Sequence, residues 1–312
     1  MTCGYLICYD GRRITLPVFS GWKFQYTFGV PCDSFDVVGP WDAGVEADLA
    51  DATRFVAEEE NGVRRFTGVV DEYELSWGIG GGTLSLSGRG FAALLLDNEA
   101  VGADYQVATL EDILRDHVAP YGIPVGKKGS LPAVPGFSVE TGSSEWQVLY
   151  SFARYHGGVQ PFFDQYGSLT VGGGGAARTV AVDDRSGVTG VTYRDRRYGV
   201  VSEILVRDRG KLADQRVVNS AFAAGGGLCR RVITMPAKSS YQAMRYSGQF
   251  QLDRSAEERL RVELTLAGAF YAWPGDVVSL SLTKPALSGT WTVLESESTL
   301  DEGGAATKLT LG

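Results

Sequence analysis

The chain has 312 residues, of which 44% are hydrophobic and 21% are charged, a composition typical of folded globular proteins. Its length suits about two domains of roughly 150 residues each. The formal net charge of −8 argues against a general nucleic-acid-binding protein, which needs excess Lys and Arg to neutralise phosphates, and against docking on an anionic membrane surface.

Residues 1–92 are predicted to form a first β-barrel-like domain. Large apolar and polar side chains alternate over residues 22–28, which is the period of a half-buried strand. Alternation continues over residues 65–75, and a glycine-rich turn at residues 78–82 leads into a returning strand at residues 83–88. No stretch of about 18 apolar residues occurs, so the sequence predicts no membrane anchor. The apolar N-terminus lacks a basic leader, so no secretory signal is expected.

Residues 93–175 are predicted to form a small α/β insertion. Thr109 followed by Asp112 indicates a capped helix start, and Pro120 ends that helix. A second helix is predicted to begin near Ser144, with Gln147 completing its capping box. A glycine pair at residues 157–158 is predicted to end this helix. Residues 159–171 are predicted to form two short strands, and residues 172–175 a flexible glycine linker.

Residues 176–312 are predicted to form a second β-barrel-like domain. Four segments alternate as strands do, namely residues 190–193, 202–207, 262–266 and 277–282. Ser255 and Glu258 are predicted to cap one short helix, and the stretch Asp208 to Met235 matches no motif. The fold class is therefore mainly β with an α+β insertion, with two β-barrel-like domains of similar fold.

One internal similarity bears on whether the two β regions are copies of each other. Val69, Gly80, Thr83 and Gly88 recur at a constant offset as Val293, Gly304, Thr307 and Gly312. Each set describes a strand, a glycine turn and a returning strand near the end of its β region. Two readings stay open: any two hairpins look alike, or the two regions repeat one barrel.

The sequence points to no catalytic, cofactor-binding or metal-binding residues. The four cysteines, Cys3, Cys8, Cys32 and Cys229, form no CxxC pair, so they are interpreted as free and mostly buried thiols rather than zinc ligands. The two histidines, His117 and His156, lie near helix ends, where cationic side chains are favourable for electrostatic reasons alone. No Gly-x-Ser-x-Gly elbow surrounds any serine.

Three further patterns are given structural interpretations. The glycines at residues 78–82 precede a strand rather than a helix, so they are predicted to form a hairpin turn and not a phosphate-binding loop. Acidic pairs such as Asp33 and Asp36 are plentiful, but none is singled out as the carboxylate pair that a glycosidase needs. The six tryptophans are spread over all regions, which favours core and interface packing over a sugar platform.

Three segments resemble the baseplate hub proteins of contractile phage tails and tailocins, including hubs of the T4 and Mu type and late control D-like proteins. Residues 22–24 leading into residues 31–37 are similar to the family's first barrel. Residues 145–149, 152–158 and 164–169 resemble its helix, glycine, strand, D-x-x-G, strand insertion. Residues 273–278 and 289–293 resemble its final barrel hairpins. The similarity covers most of the chain, although each motif is short.

The resemblance implies a non-enzymatic structural protein without cofactors, located in the virion tail baseplate and assembled in the bacterial host cytoplasm. It implies a homotrimer whose two barrels per subunit form a ring that adapts a hexameric tail tube to a trimeric central spike. The implied partners are the tail tube, central spike, tape measure and other baseplate proteins of a contractile injection system. DNA would only pass through the lumen.

Two other functions remain open from the sequence. One is a tail-associated peptidoglycan hydrolase, which would place two carboxylates across a groove. The other is a carbohydrate- or receptor-binding module at the tail tip, which would cluster exposed aromatic residues on one face.

Overall fold

The structure is a computed structural model that describes residues 2–29, 31, 33–41, 43–173, 177–208, 214–235, 241–257 and 259–312. By internal contacts the chain divides into two compact units. The first comprises Met1–Gly190 and Leu264–Leu309, and the second comprises Val191–Glu263 and Thr310–Gly312. Among the described residues, no helix is long and apolar enough to cross a membrane.

The N-terminal part of the first unit is a sheet whose strands bury alternate side chains. In β4, for example, Phe35 and Val37 point into the core while Asp36 faces solvent, as the sequence pattern predicts. The elements are β1 (Thr2–Cys8), β2 (Arg13–Thr15), β3 (Gly21–Thr27), β4 (Ser34–Pro40), α1 (Ala43–Glu46), β5 (Ala52–Glu59), β6 (Arg64–Gly78) and β7 (Gly81–Gly90).

The insertion has its own core, which includes Ile113, Leu149, Phe152 and Leu169. Its elements are α2 (Ala92–Leu96), β8 (Ala103–Ala108), α3 (Leu110–His117), β9 (Val125–Lys128), β10 (Val134–Val139), α4 (Glu145–Tyr150), β11 (Pro161–Phe163) and β12 (Leu169–Val171). β8 pairs with β10 antiparallel, whereas β12 pairs with β11 antiparallel and with β9 parallel.

Both helix starts in the insertion are found where the capping patterns predict them. Thr109 and Asp112 form a complete capping box at α3. At α4 the Ser144 side chain accepts a hydrogen bond from the Gln147 amide N–H at 3.2 Å. α4 continues into a π-helical turn, Ser151–His156, which ends at Gly157. The glycine linker lies only partly within the described residues, because Gly174 and Gly175 fall outside them, as does Cys32.

The remaining elements follow the insertion. They are β13 (Thr179–Asp183), β14 (Val188–Asp195), β15 (Glu203–Asp208), β16 (Asp214–Val218), α5 (Ser220–Ala224), β17 (Arg230–Met235), α6 (Tyr241–Ala256), β18 (Leu260–Ala267), β19 (Val277–Leu282), β20 (Leu287–Asp301) and β21 (Gly304–Leu311). The stretch that no sequence motif placed therefore holds β16, α5 and β17. β15 pairs antiparallel with β16 and parallel with β17, and α6 packs on β15 and β16.

The prediction of a short helix capped by Ser255 is wrong. Ser255 lies at the C-terminal end of the 16-residue α6, where its hydroxyl donates to the Leu252 carbonyl at 2.7 Å, and Glu258 lies outside the described residues. Gly248 interrupts the middle of this helix and weakens its sequence signal. A Cβ at Gly248 would lie 2.7 Å from Cγ2 of Val217, so the glycine allows the helix to approach the sheet closely.

The main sheet contains the same four-strand arrangement twice, in the order β14-β18-β21-β20 and then β3-β4-β7-β6. β3 and β20 join the two halves antiparallel, with Tyr26 opposite Ser296 and Phe24 opposite Ser298. β5 pairs with the first part of β6, as β19 does with the first part of β20. The smaller sheets differ, because β1 is antiparallel to β5 whereas β13 is parallel to β19. The prediction of a mainly β fold with a small α/β insertion is confirmed.

The terminal hairpins of the two halves correspond closely. β6 and β20 each have 15 residues, and each is followed by a two-residue turn and a glycine with positive φ, Gly81 at 106° and Gly304 at 101°. This equivalence pairs Leu86 with Leu309, both buried. The sequence alignment that paired Gly80 with Gly304 is therefore wrong by one residue, since it would place Thr83, which is exposed, opposite the buried Thr307.

Arg65 lies at the junction between the two halves and is only 1% exposed. Its guanidinium donates to the Ser298 hydroxyl on β20 and lies 3.7 Å from a Glu59 carboxylate oxygen. The Tyr271 ring, 5.0 Å away, also contacts it. Because a buried charge is costly unless it is paired, these contacts bind the first half of the sheet to the last strands.

Replacing Arg65 with Met keeps the apolar stem and removes the guanidinium. We expect the free energy of unfolding to fall by about 3 kcal/mol, because a buried ion pair loses one partner. Urea denaturation followed by circular dichroism measures this change. Arg64→Met is the matched control, since Arg64 is a half-exposed neighbour that pairs with Glu58; an equal loss in both variants would contradict a special role for Arg65.

Candidate functional site

A buried polar network surrounds His117, at the C-terminal end of α3. Its Nδ1 lies 2.6 Å from Glu145 Oε2, and its Nε2 lies 3.0 Å from the Tyr105 hydroxyl. Tyr105 donates to Asp116 at 2.9 Å, and the Tyr121 hydroxyl donates to the other Glu145 oxygen at 2.9 Å. The sequence suggested only a favourable helix-end position for His117, because Glu145 is distant in sequence.

This network resembles a catalytic dyad but has no activated nucleophile. The groups on the imidazole are a carboxylate and a phenol, and the phenol proton is already directed at Asp116. Burial, followed by the hydrogen bond to Asp116, raises the pKa of Tyr105 to about 12, so the phenol stays neutral near neutral pH. The network therefore fastens α3 to the start of α4 and to β8.

His117→Ala would leave the Glu145 carboxylate buried without its imidazole partner. We expect a loss of about 3 kcal/mol in the free energy of unfolding. The other histidine, His156, is exposed and provides the control variant His156→Ala. Chemical denaturation of both variants tests the expectation, which would be wrong if His117→Ala cost no more than His156→Ala.

Asp33 is a second buried titratable group. Burial raises its pKa to about 7, although hydrogen bonds from the Thr27 amide at 2.8 Å and the Thr27 hydroxyl oppose the shift. A carboxyl titrating near neutral pH is a candidate general base only where substrate can reach it. Asp33 is instead only 5% exposed, and its backbone carbonyl also accepts from the Gly90 amide at 2.9 Å.

Asp33 should make stability depend on pH between about 4 and 7. Its folded pKa of about 7 exceeds the unfolded value of 3.8, so the folded state holds the proton more tightly and stability falls as pH rises through this window. Asp33→Asn removes the titration and keeps an acceptor for Thr27. We expect the variant to match the wild type at pH near 4 and to exceed it by up to about 4 kcal/mol near pH 7.

Urea denaturation at both pH values measures the difference between wild type and variant. Asp36→Asn, at an exposed position of β4, is the control. A pH-independent difference for Asp33→Asn would contradict the expectation.

The other candidate chemistry finds no site in the described part of the chain. No group of three or more His, Cys, Asp or Glu side chains is arranged to hold a metal there. Cys3, Cys8 and Cys229 are free thiols, and burial raises the pKa of Cys8. The glycines at residues 78–82 form the turn between β6 and β7, followed by a strand.

The most conspicuous surface is the outer part of this hairpin, residues 71–82, here called the hairpin arm. Tyr73, Leu75 and Trp77 alternate along β6 and are 43%, 37% and 75% exposed. Trp77 packs edge-on against Trp41 with ring centroids 5.3 Å apart. Gly82 makes this packing possible, because a Cβ there would lie within 2.8 Å of both indole rings.

The hairpin arm also has an open backbone edge. β5 pairs with β6 only as far as Val69, and beyond it β6 is paired only with β7 among the described strands. An unpaired strand edge presents N–H and C=O groups that can accept another strand. The equivalent edge of β20 is not open, since β3 covers it from Trp22 to Thr27.

A second open edge lies at the other end of the main sheet. β14 is the terminal strand and pairs only with β18 in the described part of the chain. In the repeated arrangement, β14 holds the place that β3 holds in the other half. Two edges are thus open among the described strands. One is the outer part of β6, and the other is β14, the equivalent of the strand that covers β20.

Comparisons with known proteins identify similar tail proteins. A family model described as baseplate hub protein gp44-like, second domain, matches residues 92–173, which overlaps the predicted insertion. Baseplate hub protein gp44 of Escherichia phage Mu is 29% identical over 161 residues, covering 47% of this chain and 40% of that protein. The match thus spans less than half the length of the curated relative.

Two solved tail proteins share the fold along nearly the whole chain. The tail protein from Neisseria meningitidis MC58 superposes with a TM-score of 0.74 at 20% identity, covering 99% of this chain and 96% of that one. The 43 kDa tail protein of prophage MuSo2 from Shewanella oneidensis also gives 0.74, at 17% identity, covering 99% and 98%. The sequence resemblance to baseplate hub proteins is confirmed.

Proposed function

We propose that this chain, which resembles the baseplate hub proteins of phage-type tails, acts as a hub subunit, and that three copies close into a ring that adapts the tail tube to the central spike. Within one copy, β3 covers the outer part of β20. Between copies, β14 of one copy covers the hairpin arm of the next. The single observation that carries the proposal is this pair of open edges at equivalent places in a repeated sheet.

The backbone gives the physical reason for this pairing. Six residue pairs join β3 and β20, from Glu295 opposite Thr27 to Leu300 opposite Trp22. An equivalent junction would form about six backbone hydrogen bonds, each contributing about 1 kcal/mol net. Strand addition of this kind is directional, because the two edges must run antiparallel, and it therefore fixes the orientation of neighbouring copies.

Side chains on the hairpin arm support the same interface. The positions equivalent to Tyr73 and Leu75 are Ser296 and Ser298, which are 3% and 6% exposed beneath β3. In a single copy Tyr73 and Leu75 remain partly exposed and apolar. Apolar side chains on an open strand edge favour association, and covering them with β14 of a neighbour would remove their surface from water.

The ring would combine two symmetries. Each copy supplies two similar four-stranded sheets, so three copies present six near-equivalent sheets around one axis. One side of such a ring suits a hexameric tail tube, whereas features that occur once per copy suit a trimeric spike. The tape measure and other baseplate proteins are further proposed partners, and DNA would pass through the lumen.

The proposed role is structural rather than catalytic. The relatives are baseplate and tail proteins, and the buried titratable groups, His117 and Asp33, are held by partners inside the fold. Peptidoglycan hydrolysis and glycan binding are the competing functions. Cell-wall zymography and glycan binding by the purified protein test them directly.

Leu75→Lys places a charge on the open edge of the hairpin arm. We expect the wild type to have three times the 33.5 kDa mass of one chain and to image as a hollow three-fold ring, whereas Leu75→Lys has the mass of one chain. Light scattering and negative-stain imaging measure both. Leu228→Lys is the matched control, since Leu228 is 97% exposed and lies far along the chain from either edge.

Three results would overturn the ring. They are a wild-type monomer at all concentrations, a Leu75→Lys variant that keeps the trimer mass, and an equal loss of mass in Leu228→Lys. Circular dichroism spectra establish that each variant is folded.

A further inference from the structure

The second unit contains a cleft of about 420 Å³ that the ring does not use. Its walls come from the segment after β14, from β17 and from the C-terminal part of α6. The lining includes four arginines, Arg196, Arg231, Arg254 and Arg259, together with Tyr198 and Gln251. No Asp or Glu is among the described residues that line it.

Such a concentration of arginines is unusual for this chain, which has 37 acidic residues and 29 Lys and Arg. Several exposed arginines elsewhere are neutralised by carboxylates. Arg12 pairs with Asp10, Asp48 and Asp51, and Arg89 pairs with Asp71 and Asp97. In the cleft, by contrast, Arg231 and Arg254 have no carboxylate partner among the residues that the structure describes.

The Arg259 side chain is held in place at one wall of the cleft. Its Nε lies 2.8 Å from Asp195 Oδ1, and its guanidinium lies 5.3 Å from the centre of the Phe222 ring. The Arg259 guanidinium, through its hydrogen bond, lowers the pKa of Asp195, so this carboxyl stays ionised and keeps Arg259 in place. Asp195 also pairs with Arg197, so it offsets the positive charge of the cleft only in part. Arg231 and Arg254 therefore stand in a concave site without a carboxylate partner among the described residues.

Neutral polar groups accompany these charges. Gln251 lies on α6 three residues before Arg254, so both project from the same side of the helix. Tyr198 also lines the cleft and is 86% exposed, so its phenol hydroxyl is accessible. Arginines with a neighbouring amide and phenol provide donors for several anionic oxygens at once, and a guanidinium binds a carboxylate through two parallel hydrogen bonds.

We propose that this cleft binds an acidic peptide segment, with two or more adjacent Asp or Glu side chains, of a partner protein. A cleft of a few hundred cubic ångströms accommodates a few side chains, in the size range of ordinary ligand pockets. Nucleic acid fits less well. Its binding depends on many phosphates along an extended basic surface, and the chain as a whole is acidic.

Binding of fluorescein-labelled hexaglutamate to the full chain, measured by fluorescence anisotropy at low and physiological ionic strength, tests the proposal. We expect Arg231→Gln/Arg254→Gln to weaken binding by about tenfold for each arginine removed. The matched control is Arg13→Gln/Arg185→Gln, which lowers the net charge equally at exposed positions outside the cleft and should change the affinity less than twofold.

Absence of hexaglutamate binding, or an equal loss in both double variants, would overturn the proposal, the latter because general charge attraction would explain it. Tighter binding of a six-nucleotide oligothymidylate with the same arginine dependence would also overturn it and assign the cleft to nucleic acid. Light scattering of the same variants measures whether they still form the ring. We expect their mass to be unchanged because neither arginine lies on β6 or β14, so loss of peptide binding is distinguished from loss of the ring.

Discussion

The backbone hydrogen-bonding groups at strand edges constrain this molecule more than any single side chain does. A four-stranded sheet with two edges must have both covered, or it leaves a row of donors and acceptors that attracts other strands. The chain solves half of this problem internally by laying β3 along β20. Among the described strands the repeat leaves one edge of each kind open, which is why we propose the same pairing between copies.

The two halves of the main sheet differ in the side chains at equivalent positions of β6 and β20. Beneath β3, the strand β20 carries Ser296 and Ser298, and the Ser298 hydroxyl accepts from buried Arg65. A polar residue is stable there because its partner belongs to the same chain and is always present. The hairpin arm has apolar residues at the equivalent places. Burial of apolar surface favours association and, unlike burial of a polar group, needs no matching hydrogen-bond partner.

Local sequence patterns predicted the structural features that depend only on residues close together in the chain. The alternation in β4 and the capping box at Thr109 identified a strand and a helix start correctly, because both signals are contained within a few residues. The network around His117 could not be predicted, since Glu145 reaches it only through tertiary packing. α6 was missed because Gly248 weakens its helical signal and its stability comes from packing on β15 and β16.

A ring closed by backbone pairing, as proposed, would need further recognition elements. Any antiparallel edge satisfies the hydrogen bonds of another, so strand addition fixes orientation but discriminates poorly between partners. Discrimination has to come from side chains whose charge or shape excludes the wrong neighbour. Arg231 and Arg254, which have no carboxylate partner among the described residues, supply such a charge in an otherwise acidic chain, and neither lies on β6 or β14. Assembly of the ring and recognition of a partner can thus be carried by different parts of the same polypeptide.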